Sequence, residues 1–217
     1  MTLFKRASTV LATLGAAGAV VGLSAAPAMA ATTLTVKVSN GGSYTATSAK
    51  TVLTDGNLSV TCTTSGSTPA SKTSGKVPTG SHTGTSPVKV GTAATLVFNN
   101  CTGLAGAVTT VVNSLPYTIS VDSKTTSTGK TDGIISGVNV NVSMTGCSFT
   151  VTGSTPGFYT NGTHKLAVTK TLPTPALNTA KLTVSNVSGC AGLVNNGDHP
   201  TYTGTYTVSR HFTIKST

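Results

Sequence analysis

The chain has 217 residues, 14 of them basic and only 4 acidic, and it contains no Glu, Gln or Trp. Charged residues make up 8% of it, against about 25% in an ordinary soluble domain. The straight-chain helix formers are scarce and β-branched Thr and Val abundant, which excludes a coiled coil, a helical bundle or a doubly wound α/β enzyme, while low charge with 37% hydrophobic content excludes a disordered chain.

The first 30 residues read as a secretory signal peptide. Lys5 and Arg6 form a positive start, and residues 7–26 are apolar and uncharged. Pro27 breaks the run, and Ala28-Met29-Ala30 offers small residues where a signal peptidase reads, so cleavage is expected after Ala30. Nothing later is apolar for long enough to span a bilayer, so the mature chain is expected outside the cytoplasm without a transmembrane segment. Residues 31–217 then form one domain, with 12 basic and 4 acidic side chains, 42 Thr and 22 Ser. A chain of that length buries roughly 70% of its unfolded surface.

Period-two alternation marks the strands. Leu34, Val36 and Val38 alternate with Thr35, Lys37 and Ser39. Shorter candidates follow at 52–53, 58–62 and 95–98. The longest alternation is Val138, Val140, Val142 and Met144 against Asn139, Asn141 and Ser143. Further candidates lie at 149–151, 166–168 and 182–184. Tyr206 and Val208, then Phe212 and Ile214, bracket a Ser-Arg-His connection that predicts a closing hairpin. Apolar residues on one face and hydroxyls on the other are the mark of antiparallel strands with one wet face. The spacing of Gly, Asn, Asp and Pro between them predicts an all-β sandwich or barrel-like domain. Residues 63–92, rich in Gly and Pro, predict a flexible surface loop or a polar edge hairpin. Leu172-Pro173-Thr174-Pro175 is a second break.

Four cysteines, Cys62, Cys101, Cys147 and Cys190, suggest disulfides in an exported chain, with three connectivities open. No local Cys pair has zinc spacing. An internal echo chooses among the connectivities. Cys101-Thr102-Gly103-Leu104 returns as Cys190-Ala191-Gly192-Leu193, and Tyr117-Thr118-Ile119-Ser120 returns at the same offset as Tyr206-Thr207-Val208-Ser209. A pseudo-duplicated arrangement would close one bridge per half, Cys62–Cys101 and Cys147–Cys190. Each is worth about 4 kcal/mol in the chain-entropy model.

Motifs for catalysis are absent: no G-x-S-x-G, H-E-x-x-H, P-loop or G-x-G-x-x-G occurs. Four scattered Asp residues read as turn residues beside Gly rather than as a paired-carboxylate site, as in Asp55-Gly56, Asp132-Gly133 and Gly197-Asp198. Asp198-His199 invites a Ser-His-Asp triad, which only geometry identifies; a structural turn is the favoured reading. His82, His164 and His211 read as exposed polar residues. No catalytic, cofactor or metal residue is therefore assigned. The lysines are spread singly with few aromatics nearby, which lacks the footprint of nucleic-acid binding.

The run Ser188-Gly189-Cys190-Ala191-Gly192-Leu193, then Asn196-Gly197-Asp198 and Gly204-Thr205-Tyr206-Thr207-Val208-Ser209, resembles the C-terminal signature of a family of small secreted actinobacterial β-rich proteins. Asn99-Asn100-Cys101-Thr102-Gly103 and Leu115-Pro116-Tyr117 add to the resemblance, although members often carry Trp where Tyr117 stands. It implies export and a β-rich domain and transfers no catalytic residue. The expectation is a non-enzymatic protein of structural or adhesive role outside the cell or at its surface. The alternatives are a module binding anionic cell-wall polymers or glycans, and a hydrolase whose site is assembled by the fold.

Overall fold

The computed structural model describes residues 33–170 and 180–217. The signal-peptide reading and the Leu172–Pro175 break lie outside the described residues. Chain order gives β1 (Thr33–Ser39), β2 (Gly42–Ser48), β3 (Lys50–Asp55), β4 (Leu58–Thr63), β5 (Ser71–Val77) and β6 (Gly80–Thr85). Next come β7 (Val88–Phe98), β8 (Cys101–Gly103), β9 (Gly106–Val112), β10 (Tyr117–Val121), β11 (Lys130–Met144) and β12 (Cys147–Thr160). The last four are β13 (Lys165–Val168), β14 (Leu182–Ser188), β15 (Thr201–Val208) and β16 (Thr213–Ser216). The fold is all-β and antiparallel, and the described residues contain no helix, let alone one long and apolar enough to cross a membrane.

The alternation seen in sequence becomes burial. In β1 the side chains of Leu34, Val36 and Val38 are buried while Thr33, Thr35 and Lys37 are exposed. β16, β1 and β6 form a three-stranded sheet, and the other strands join a larger one. That larger sheet closes on itself. β11 pairs with β12, and the chain of pairings runs on through β13, β15, β2, β5, β7 and β10 back to β11. A second circuit leaves β11 through β9, β8, β4 and β3 and rejoins at β15. The long strands make this possible: β11 pairs with β10 along its first half and with β9 along its last residues. Closure leaves β14 as a strand paired on one side only, and the 197–198 loop bonds its free side at Val184, which limits the edge a hydroxyl-rich sheet would otherwise offer for aggregation.

Two apolar cores fill the ends. One gathers Leu34, Val36, Val38, Tyr159, Phe212 and Ile214 beneath the small sheet. The other gathers Leu58, Val60, Phe149, Val184 and Val194 around the disulfides. Tyr202 packs against both. The bridges are Cys62–Cys101 and Cys147–Cys190, as the internal echo predicts, and no described cysteine is free. The first ties neighbouring strands β4 and β8, where the two cysteines are directly opposite partners.

Three expectations are corrected. Residues 63–92 are not simply a loop or an edge hairpin: β5 lies in the interior of the large sheet between β2 and β7, and only β6 is an edge. The apolar pattern fails in β5 because its inward positions are Ser71, Thr73, Gly75 and Val77. Small hydroxyls stand in for apolar side chains there by donating to carbonyls, Ser71 to Val97 O (3.0 Å) and Thr73 to Thr95 O (2.6 Å). Such buried hydroxyls are tolerated when bonded. The C-terminal hairpin is not formed either. β15 pairs with β13, β2 and β3, whereas β16 crosses to pair with β1. Finally, Asp132-Gly133 is not a turn but lies inside β11. Gly133 is needed for closeness, since a Cβ there would collide with the carbonyl oxygen of Ser120 on β10.

Candidate functional site

The outer face of the large sheet carries ordered rows of hydroxyls and lysines. Register across β13, β15, β2 and β5 sets Lys165 opposite Thr207, Thr207 opposite Thr47, and Thr47 opposite Lys72. All four are exposed, because their neighbours along each strand point inward. With strands about 4.8 Å apart, Lys165 and Lys72 stand about 14 Å from each other across two threonines. The next rows set Thr45 opposite Ser74 and Ser43 opposite Lys76. Together with Thr92 and Ser209 these residues line a shallow open groove.

Hydrogen bonds hold the groove's hydroxyls in place. Thr45 donates to Ser209 Oγ from both its backbone N (3.0 Å) and its Oγ1 (3.1 Å). Ser74 Oγ bonds Thr95 Oγ1 at 2.7 Å, and the Ser74 backbone N donates to the same oxygen at 3.0 Å. Gly75 lets β5 and β7 approach here, since a Cβ would run into the carbonyl of Thr92 and approach the Tyr44 hydroxyl.

The small sheet repeats the chemistry with more charge. Lys37 of β1 and Lys215 of β16 are direct cross-strand partners, and both are exposed. Thr35 lies two residues along on the same face and bonds Thr83 of β6, Oγ1 to Oγ1 at 3.2 Å. Like charges directly opposite each other work against a sheet. The periodicity places Lys37 on this polar face; its partner lysine is not legible there, because the strand of Phe212 and Ile214 reads as half of a hairpin with Tyr206 and Val208.

Asp198 closes a turn through Asn196 and Gly197, its backbone N donating to Asn195 O (3.2 Å), and His199 follows in irregular chain. Asp198 Oδ2 accepts from the backbone N of Asn195 (2.7 Å), capping the loop, and the Asp198 carbonyl accepts from Val184 N (2.9 Å). Its carboxylate also lies against that of Asp55, at the end of β3. Burial raises the pKa of Asp55, and the charge and hydrogen bonding of Asp198 raise it further, against a lowering by nearby His199. Sequence reading missed this convergence; nothing local signals it, since closure of β3 onto β15 creates it.

His199 does not face that pair as a triad histidine would. Its Nδ1 lies 3.0 Å from the carbonyl of Leu182, and its Nε2 lies 3.5 Å from Lys181 Nζ. His164 and His211 stack face to face with centroids 4.0 Å apart, and Tyr159 OH lies 3.2 Å from His164 Nδ1. Asp122 and Asp132 are buried, with Asp122 bonded by Ser86 Oγ and Asp132 paired with Lys130 Nζ at 3.3 Å. Among the described residues no group of three or more His, Cys, Asp or Glu gathers to hold a metal ion.

Comparison with known proteins finds no matching family model, no matching curated protein and no matching solved structure.

Proposed function

We propose that the protein works outside the cell as a non-enzymatic β module of structural or adhesive role, whose lysine and hydroxyl faces hold anionic, polyhydroxylated cell-wall polymers. The observation that carries the reading is the pairing of exposed Lys37 with Lys215 on a face otherwise made of Thr and Ser. A polyanion lying across the pair would neutralise both charges and turn a local repulsion into an attraction. The rows from Lys165 to Lys72 offer a second strip of the same chemistry, hydroxyls for hydrogen bonding between widely spaced cations. Two disulfides fit an oxidising, extracytoplasmic setting.

A hydrolase site has less support, because His199 Nδ1 lies against the Leu182 carbonyl (3.0 Å) and the Thr183 hydroxyl (3.5 Å) and its Nε2 against Lys181 Nζ (3.5 Å), with no serine or carboxylate among these partners. The test is sedimentation with isolated bacterial cell walls. Exposed attractions are screened over about 8 Å at physiological salt and about 3 Å at 1 M. The protein should pellet with walls at low salt and return to the supernatant in 1 M NaCl without detergent. Walls stripped of phosphodiester-linked polymers by hydrofluoric acid should capture far less. Binding that survives the salt wash, or absence of binding at low salt, overturns the reading.

A further inference from the structure

The two cores do not meet completely. Between them lies a cavity of about 110 Å³, bounded by Val168 and Tyr206 from one core and by Val140 and Val151 from the other, with Leu96 and Tyr202 between. Protein interiors normally pack to crystal density with few voids larger than a water molecule, so a space of this size at the junction of two cores is a feature to be explained. Its wall is almost wholly apolar. Most of the hydroxyls that line it are engaged elsewhere: Tyr117 OH donates to Asn139 O (2.8 Å), Thr73 Oγ1 to Thr95 O (2.6 Å), and Tyr202 and Tyr206 bond each other at 2.5 Å, with Tyr206 continuing to Ser71 Oγ at 3.0 Å.

Thr51 lines the cavity and is 2% exposed; its Oγ1 lies beside the Tyr202 hydroxyl but makes no hydrogen bond of regular geometry, which leaves it the buried hydroxyl most open to a further partner. A buried water needs two to four polar partners, and this wall is dominated by Val, Leu, Ile and Phe side chains. An apolar cavity of about 150 Å³ stays dry and takes benzene or xenon. The present space is somewhat smaller, with the Thr51 hydroxyl on its wall.

We infer that this cavity is a binding site for a compact apolar molecule carrying one hydrogen-bonding group, with about six non-hydrogen atoms, as in benzene, as the upper bound. The hydrocarbon part would fill the space between the cores and the polar group would bond Thr51 Oγ1. This site is separate from the lysine faces, since its lining residues point inward from the strands whose outer residues form the rows.

The experiment is a titration of the full chain, methyl-labelled for NMR, with cyclopentanol and with methylcyclopentane, which differ by a hydroxyl in place of a methyl. Both should shift methyl resonances of Val140, Val151 and Leu96. The affinity ratio of cyclopentanol to methylcyclopentane should be about two- to tenfold higher in the parent than in Thr51→Val, the value of one net hydrogen bond. Thr51→Val should keep methylcyclopentane binding. Ala93→Leu, which fills the lining, should abolish both; if it does not fold, Thr51→Val alone decides. Shifts confined to exposed methyls such as Val97 and Val111, or no shift with either probe, overturn the proposal. So does a cyclopentanol-to-methylcyclopentane affinity ratio that is unchanged in Thr51→Val.

Discussion

Asp55 and Asp198 meet carboxylate to carboxylate although they come from opposite ends of the chain, one closing β3 and the other in the loop that leads into β15. The meeting raises the pKa of Asp55, first through burial and then through Asp198. The folded state therefore holds the Asp55 proton more strongly than the unfolded state does. By linkage, stability falls as pH rises from the ordinary value of 3.8 up to the raised folded value, and stays lower above it. Asp55→Asn removes this dependence. Its thermal midpoint should exceed that of the parent at pH 7 and match it at pH 3. A midpoint lowered at pH 7 would show that the Asp55 charge is paired rather than opposed.

The tyrosines give the alkaline counterpart. All five are raised above the usual phenol range, Tyr44 and Tyr159 to about 12, each with burial as the first cause. An acid whose folded pKa is raised costs stability once pH passes its unfolded value, here about 10. Absorbance at 295 nm should stay nearly flat through pH 10, where free phenols are half ionised, and then rise together with loss of structure. With no Trp in the chain, that absorbance reports tyrosine directly. A smooth titration centred on 10, with circular dichroism unchanged, would contradict the buried tyrosines.

How much of this was legible beforehand depends on the face a residue occupies. The apolar alternation of Leu34, Val36 and Val38, and of Val138 to Val142, gives strands and their inner faces directly, because a buried face needs side chains of one kind every second residue. The disulfide pairing was legible through the echo of Cys101 in Cys190. What failed was β5, where Ser71 and Thr73 face inward and are satisfied by carbonyls of β7, so that periodicity carries no apolar signal. The fate of β16 was equally invisible. A hairpin and a crossover have the same local pattern, and only the partner strand β1, at the other end of the described chain, decides between them. The candidate site divides the same way: the polar face bearing Lys37 is written in the alternation, whereas Lys37 with Lys215, Asp55 with Asp198 and His164 with His211 are products of closure.

The disulfides should dominate stability at the end of the molecule they occupy. Cys62, Cys101 and Cys190 are buried in the same core as Phe149. Cys147→Ala with Cys190→Ala should lower stability by about 4 kcal/mol on loop entropy alone, and Phe149→Ala by about 3–5 kcal/mol through the cavity it leaves. Denaturant unfolding with and without reductant measures both. Peptide mapping without reductant should link residue 62 to 101 and residue 147 to 190, and crossed links would refute the pairing.

Removing one lysine of the facing pair should move stability and binding in opposite directions. Lys37 and Lys215 stand opposite each other on the exposed face of the small sheet, where a like-charge pair costs up to a few tenths of a kcal/mol and salt reduces that cost. Lys37→Thr keeps the β-branched, hydroxyl character of the row. It should raise the thermal midpoint slightly at low ionic strength, and the gain should vanish in 1 M NaCl. The same variant should release from cell walls at lower salt than the parent, because one cation of the strip is gone. Lys215→Thr should behave alike, and the double variant should gain little further stability, since a single substitution already removes the repulsion, while its binding falls again. A role in folding alone predicts that wall release is unaffected by either change. A merely solubilising charge predicts that any lysine, such as Lys124 in the loop before β11, has the same effect on release as Lys37. Comparing Lys37→Thr, Lys215→Thr and Lys124→Thr on one salt gradient separates these outcomes.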